Sequence, residues 1–299
     1  MNDETDPLPT PPGGLSVPSK KEYLQGSIQA GKSAGECGEA RHAGLLIINA
    51  DDWGSEPGTT RMILDCVLRG AVSSVSAMVF MEDSERAAAV ARERGIEAGL
   101  HLNFTSAFSV PQCPMRLREH QQKLAQYLLR SRLAQVMFHP ALTRSFEYLV
   151  AAQLDEFRRL YGSEPELLDG HRHMHLCANV LLQDLLPHGT LVRRNFSFQR
   201  GEKGIANRLY RRFVDGMLLR RHRLVDFFFS LVPLESPGRL HRIFALARQF
   251  AVEVMAHPAN PKEYRFLEGG EIFRHVEGLE MAPRSVVLRR DQKRKVDEA

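Results

Sequence analysis

The stretch Leu45–Gly54, LLIINADDWG, decides how the rest of the chain is read. Leu45, Leu46, Ile47 and Ile48 offer no polar face. The run therefore reads as a strand buried on both sides, as in a parallel sheet covered by helices. Asp51 and Asp52 stand where that strand ends. Upstream, residues 1–42 carry Pro7, Pro9, Pro11, Pro12, Pro18, Gly13 and Gly14 and few large apolar side chains. Such a segment does not bury enough surface to offset its ordering entropy, so a disordered tail is expected. The folded domain is expected over 43–288, followed by a charged, frayed tail over 289–299.

Downstream, strand and helix signals alternate. Helices are expected at 57–70, at 84–94 with Gly95 as the stop, at about 146–160 before Gly162, and near 178–186, 202–220 and 239–250. Extended runs are expected at 72–80, 96–103, 167–169, 191–192, 225–229 and 252–255. This alternation predicts an α/β chain, with a parallel sheet or barrel and helices outside. Residues 115–137 are helical in composition where a plain connection would do. They are expected to form an inserted helical cap near a binding site.

Bulk properties narrow the function classes. With 299 residues and 43% hydrophobic content, the chain is long enough for one sizeable α/β domain. Lys plus Arg exceeds Asp plus Glu by 40 − 36, or +4, too small an excess to imply nucleic acid. Arg211–Arg212, Arg220–Arg221 and Arg289–Arg290 read first as solvated helix faces, and second as a surface attracting anionic sugars or lipid phosphates. Cys37, Cys66, Cys113 and Cys177 form no CxxC pair, so reduced thiols are expected. No run reaches the roughly 18 apolar residues of a membrane helix. The first residues lack the apolar core of a secretory signal, so a cytoplasmic protein is expected.

Potential ligands recur at strand ends. Asp51 and Asp52 follow Ile48; IEAGLHLN ends in His101; ELLDGHRHMH places Asp169, His171, His173 and His175 after Leu168; VEVMAHPA ends in His257. In parallel α/β folds and barrels, loops after the carboxyl ends of strands converge on one site. Taken singly, each feature has a plainer reading. Adjacent acids cap helices, a lone histidine is more often a satisfied core residue, and His257 before Pro258 suits a turn. HRHMH is stronger, because alternate residues of an extended segment point to one side. Coincidence at separate strand ends favours a metal site of imidazoles and a carboxylate that leaves positions open for water and substrate.

With these blocks in hand, the chain resembles the YdjC-like carbohydrate deacetylases. NADDWG resembles that family's NADDFG, and GAVSSVSAMV its serine-bearing strand. GLHLNFTS, LLDGHRHMH and VEVMAHP resemble its histidine blocks, in order, over roughly residues 45–260. The resemblance implies a distorted (β/α) barrel of parallel strands. It implies Asp52, His101 and His171 as ligands of one divalent ion, Mg²⁺ first and Zn²⁺, Mn²⁺ or Co²⁺ otherwise. It makes Asp51 the general base and His257 the acid or substrate-orienting group. The implied reaction is deacetylation of an acetylated amino sugar. Trp53 stands in place of Phe, which suggests a changed lining. Leu167 replaces the opening His of its block, Gly170 replaces Ser, and Ala259 replaces Gly.

Amide hydrolysis suits such a site, since a divalent metal lowers the pKa of bound water and polarises a carbonyl. Asp169 is expected to orient a ligating imidazole. His173 and His175 are expected nearby, and Arg193 or Arg194 to contact sugar hydroxyls or a phosphate, or else to form surface ion pairs. The rival readings are a barrel metallo-phosphoesterase, which would need ligands for further metals, and a non-catalytic carbohydrate-binding protein. A homo-oligomer is left open. The segment 106–143, with Leu124, Leu128, Leu129 and Phe138, is expected either to select a bulkier or more apolar substrate or simply to pack on the barrel.

Overall fold

The aliphatic run at Leu45 is the middle strand of a seven-stranded sheet. The computed structural model describes residues 44–198 and 203–297, so the expected N-terminal tail lies outside the described residues. The strands are β1 (Leu45–Trp53), β2 (Ser74–Ala77), β3 (Ala98–Leu102), β4 (Leu167–Gly170), β5 (Leu191–Val192), β6 (Phe227–Ser230) and β7 (Ala251–Ala256). All neighbouring strands pair in parallel, in the order β5-β4-β3-β2-β1-β7-β6. The outer strands approach each other. Leu191 bridges to Arg223 just before β6, and Ser197 N donates to Phe228 O at 2.8 Å. The sheet thus curls into a distorted (β/α) barrel.

Helices α1 (Pro57–Leu68), α2 (Ser84–Arg94), α3 (Met115–Arg130), α4 (Arg132–Val136), α5 (Thr143–Tyr161) and α6 (Ala178–Leu182) occupy the first part. Helices α7 (Ile205–Leu218), α8 (Pro237–Ala247), α9 (Pro261–Glu268) and α10 (Ser285–Asp297) follow. Gly95 and Gly162 end α2 and α5 in the left-handed conformation, at φ 64° and 76°. A side chain is least tolerated in that conformation, which is why glycine serves as the stop signal. The frayed tail expected from Arg289 is, through Asp297, part of α10. The anchor is apolar: Val287 and Leu288 are buried.

Alternation along the strands sorts the side chains into two environments. Leu46, Ile48 and Ala50 face the helices and join Ile63, Val75, Leu100, Phe157 and Val254 in the main core. Leu45 and Ile47 lie in a smaller cluster with Leu167, Leu191, Val225 and Ala251, against Val287 and Leu288 of α10. This cluster is drawn from the beginnings of the strands, so α10 closes the amino-terminal end of the barrel. Two and four residues further on, the same alternation brings polar groups inward at the other end: Asn49, Asp51, Ser76, His101, Asp169, Arg193 and Glu253, all buried.

Candidate metal and catalytic site

Strand register places most of the site. His101 of β3 is directly opposite Asp169 of β4. Asp169 Oδ1 accepts from His101 Nδ1 at 2.6 Å, which leaves the other imidazole nitrogen free to face the rim. That nitrogen, Nε2, lies 3.5 Å from Asp52 Oδ1. Asp52 has φ 68°, which breaks the alternation one residue after Asp51; aspartate tolerates this conformation better than most residues. His171, in the turn after β4, brings Nδ1 to 3.1 Å from Asp52 Oδ1, and its Nε2 meets Ser106 Oγ at 3.0 Å. One donor atom from each of Asp52, His101 and His171 lies within 4.8 Å of the others.

Below this trio, Arg193 extends from the end of β5 with no exposed surface. Its Nη1 and Nη2 donate to the two oxygens of Asp51, each at 2.7 Å. Nη2 also lies 2.9 Å from Asp169 Oδ2, and Nε donates to Glu253 Oε1 at 2.8 Å. Arg284, at the start of α10, reaches the same network and donates to Asp169 Oδ2 at 2.8 Å. Ser76 Oγ donates to Asp169 Oδ2 at 2.6 Å, and Asn49 Nδ2 donates to Asp51 Oδ1 at 2.9 Å. A charge buried without partners is very costly, and here each acid is paired with an arginine, although Glu253 Oε2 and Arg284 Nε and Nη2 make no hydrogen bond.

The electrostatics follow from that packing. Burial pushes the Asp51 carboxyl up, but the Arg193 charge and then His101 outweigh it and hold Asp51 below the usual range. Asp52 is likewise opposed by burial, yet its hydrogen bond from His171 and the His101 charge bring it to about 2. Burial lowers His173 to about 3 and His175 to about 4, with Arg193 adding to the effect at His173. His257 stands on the open side, with Nε2 3.9 Å from Asp51 Oδ2. Its backbone N–H donates to Glu263 at 2.9 Å.

The structure separates the expected residues into two groups. Asp51, Asp52, His101, Asp169, His171 and His257 come together. His173 and His175 do not join the trio. Arg172 and His173 adopt φ 55° and 59° inside a tight turn, so HRHMH is not an extended segment with its histidines on one side. His173 instead packs edge-on to Phe196 and Phe228, and His175 Nε2 meets the Arg193 carbonyl at 2.9 Å.

Both arginines form ion pairs, and of the two only Arg193 is fully buried. Arg193 is wrapped by carboxylates, and Arg194 is held by Asp215 Oδ2 at 2.6 Å and by the carbonyls of Val225 and Asp226. Trp53 has no exposed surface and belongs to the core rather than to a lining. Gly170 has a steric reason: a Cβ there would come within 3.0 Å of the His175 backbone nitrogen.

The site also holds residues that the sequence analysis did not single out. Glu253 had a signal, being an acid inside an otherwise apolar buried strand. Ser76 and Asn49 share the inward parity of their strands. Arg284 and Ser106 gave none, because they come from distant connections.

The donor set fits a divalent ion. One carboxylate and two imidazoles converge, and one of the imidazoles is oriented through its far nitrogen by a buried carboxylate, as ligating histidines usually are. Asp52, His101 and His171 would hold the ion.

Comparison with known proteins agrees with this arrangement. The chain is 30% identical to a human carbohydrate deacetylase over 251 residues, which is 72% of this chain and 75% of that protein. It is 32% identical to an Enterobacter chitooligosaccharide deacetylase over 133 residues, 44% of this chain. That match spans about half the length of the Enterobacter protein (50%). An Enterococcus faecalis structure provisionally named for cellobiose-phosphate cleavage shares the fold. Its TM-score is 0.57 at 18% identity, and the match covers 81% of this chain and 98% of that one. Residues 45–289 match the family described as YdjC-like protein, and the chain belongs to that family.

Proposed function

We propose that this protein is a metal-dependent hydrolase that removes the acetyl group from an N-acetylated amino sugar. The observation that carries the reading is the placement of Asp51. It is an acid held ionised by Arg193, next in sequence to the carboxylate of the Asp52–His101–His171 trio, with His257 opposite. The relatives named as carbohydrate deacetylases support it. A divalent ion in the trio would polarise the acetyl carbonyl and make a water molecule more acidic. Mg²⁺ is the first expectation for it.

Asp51 accepts the proton of the attacking water through Oδ2, the oxygen nearer His257. Arg193 and Asn49 hold the carboxylate in one orientation and keep it ionised, ready to accept that proton, in the resting site. His257 delivers a proton to the departing amine nitrogen from the other side. Asp169 holds His101 in one tautomer, and Ser106 does the corresponding work on His171.

A phosphoesterase reading needs ligands for further metals, and His173 and His175, which would have supplied them, face Phe196, Phe228 and a backbone carbonyl. The second convergent group, Asp51, His101 and Asp169, is already occupied by Arg193 and Arg284. The test is a panel of N-acetylated amino sugars and phosphate monoesters run side by side. Acetate from the first set with no phosphate from the second is expected. Phosphate release without acetate overturns the proposal.

A further inference from the structure

Helix α7 is amphipathic in an inverted sense. Val214, Asp215 and Leu218 face the barrel, while Ile205, Leu209 and Phe213 occupy one ridge, four residues apart, on the opposite side. These three are 68%, 59% and 63% exposed. Water-facing ridges of soluble domains are normally polar, and a contiguous apolar one signals a partner. Across a cleft of about 230 Å³ lies α4, which exposes Leu133 and Val136, and just beyond it Met137 and Phe138. Val136 lines one wall of this cleft and Tyr210 the other, while Arg172 and His173, next in sequence to His171, lie along it. The two apolar patches therefore lie on the two helices that wall this cleft.

Positive charge predominates around these patches. The only acid within α7 is Asp215, which is buried and paired with Arg194. Lys203, Arg212 and Arg220 are exposed on or beside the helix. Residues 115–147 contain Arg116, Arg118, Lys123, Arg130, Arg132 and Arg144 against two acids, Glu119 and Glu147. Aromatic and aliphatic side chains among an excess of arginines match an anionic bilayer surface, into which such a helix sinks its apolar face. A second copy of the chain fits poorly, because a face-to-face pair would bring these cations together.

We infer that α7 and the 133–138 segment form a docking surface for anionic lipid bilayers, beside the cleft that Arg172 and His173 line. The test is co-sedimentation of the full chain with two kinds of vesicle. One kind is phosphatidylcholine alone; the other contains an equal share of phosphatidylglycerol. The wild-type chain is expected to sediment with the anionic vesicles and much less with the neutral ones. Leu209→Glu/Phe213→Glu is expected to weaken that binding about tenfold or more with an unchanged melting temperature, since both side chains are exposed.

Arg212→Gln/Arg220→Gln is expected to lower the preference for anionic vesicles while leaving the apolar ridge intact. Absence of wild-type binding, or undiminished binding by the Glu variant, overturns the inference. So does a wild-type dimer that the Glu variant converts to monomer without any vesicle binding, which would show that a second copy covers the face. The measurement is independent of acetate release, so its outcome is separable from that of the proposed reaction.

Discussion

Asp51 and Asp52 are adjacent but sit in different surroundings, and the difference separates their roles. Asp51 is fully paired inside the barrel with Arg193, whereas Asp52 faces His101 and His171 at the rim. Asp51→Asn is expected to retain a bound divalent ion while losing about 10²–10⁴-fold in turnover. Asp52→Asn is expected to lose the ion itself. Metal analysis of both purified variants, paired with acetate release, distinguishes these outcomes; a normal rate for Asp51→Asn removes it from the mechanism. Asp169→Asn is expected to weaken ion affinity by about 10–100-fold, since His101 loses the group that orients it. Titration with a divalent ion reads this directly.

At this scale the sequence was most informative where several candidates recurred at strand ends. Asp52, His101 and His171, expected as ligands from the family resemblance, are brought within reach of one another. The departure of His173 and His175 from a one-sided alignment and the burial of Arg193 were not legible, because a left-handed turn and a buried ion network leave no local signature.

The elements that matter most are the inward faces of β1, β4 and β7, whose acids converge on Arg193 at the end of β5. Arg193→Met would leave Asp51, Asp169 and Glu253 with only Arg284 and His101 nearby. A loss of about 3–5 kcal/mol in urea unfolding is expected, because uncompensated buried charge remains. A loss below about 1 kcal/mol would show that the network does not hold the barrel together.

The turn after β4 predicts an acid sensitivity of defined sign. In the unfolded chain, His173 titrates near pH 6.5; folded, it resists protonation until about pH 3. The stability tied to its neutral form is present above pH 6.5 and is lost as the pH falls toward 3. His173→Phe, placed among Phe196 and Phe228, is expected to be less acid-sensitive than wild type by on the order of 2 kcal/mol at pH 5. Parallel unfolding curves at pH 7 and pH 5 check this, and His101, whose shift runs the other way, cancels in the comparison. The positions of all seven strands were legible from hydrophobic runs and their spacing. Glu253, by contrast, required knowing which parity of β7 points into the barrel.

For the whole molecule, an apolar floor and a polar mouth share one barrel. The floor is closed by α10, which also supplies Arg284 to the network above. Ending the chain at Pro283 would uncover Val287's and Leu288's partners, at about 1.5–3 kcal/mol for each buried side chain lost, and would leave Asp169 without Arg284. Such a chain is expected to melt well below the full one. The C-terminal region was illegible beforehand because its charged composition masks two anchoring residues.

The 106–143 segment resolved in parts. Leu124 and Leu128 pack α3 against α5, Gln121 donates to the Ser106 carbonyl beside His171, and Leu129 and Phe138 remain exposed. Metal-assisted deacetylation at this barrel mouth is the proposed function. Its most direct test is acetate release from N-acetylated amino sugars by the full chain, measured before chelation, after chelation, and after a divalent ion is returned. Release that stops on chelation and recovers with the ion is the predicted result. Acetate release that continues unchanged in the metal-free protein would contradict it.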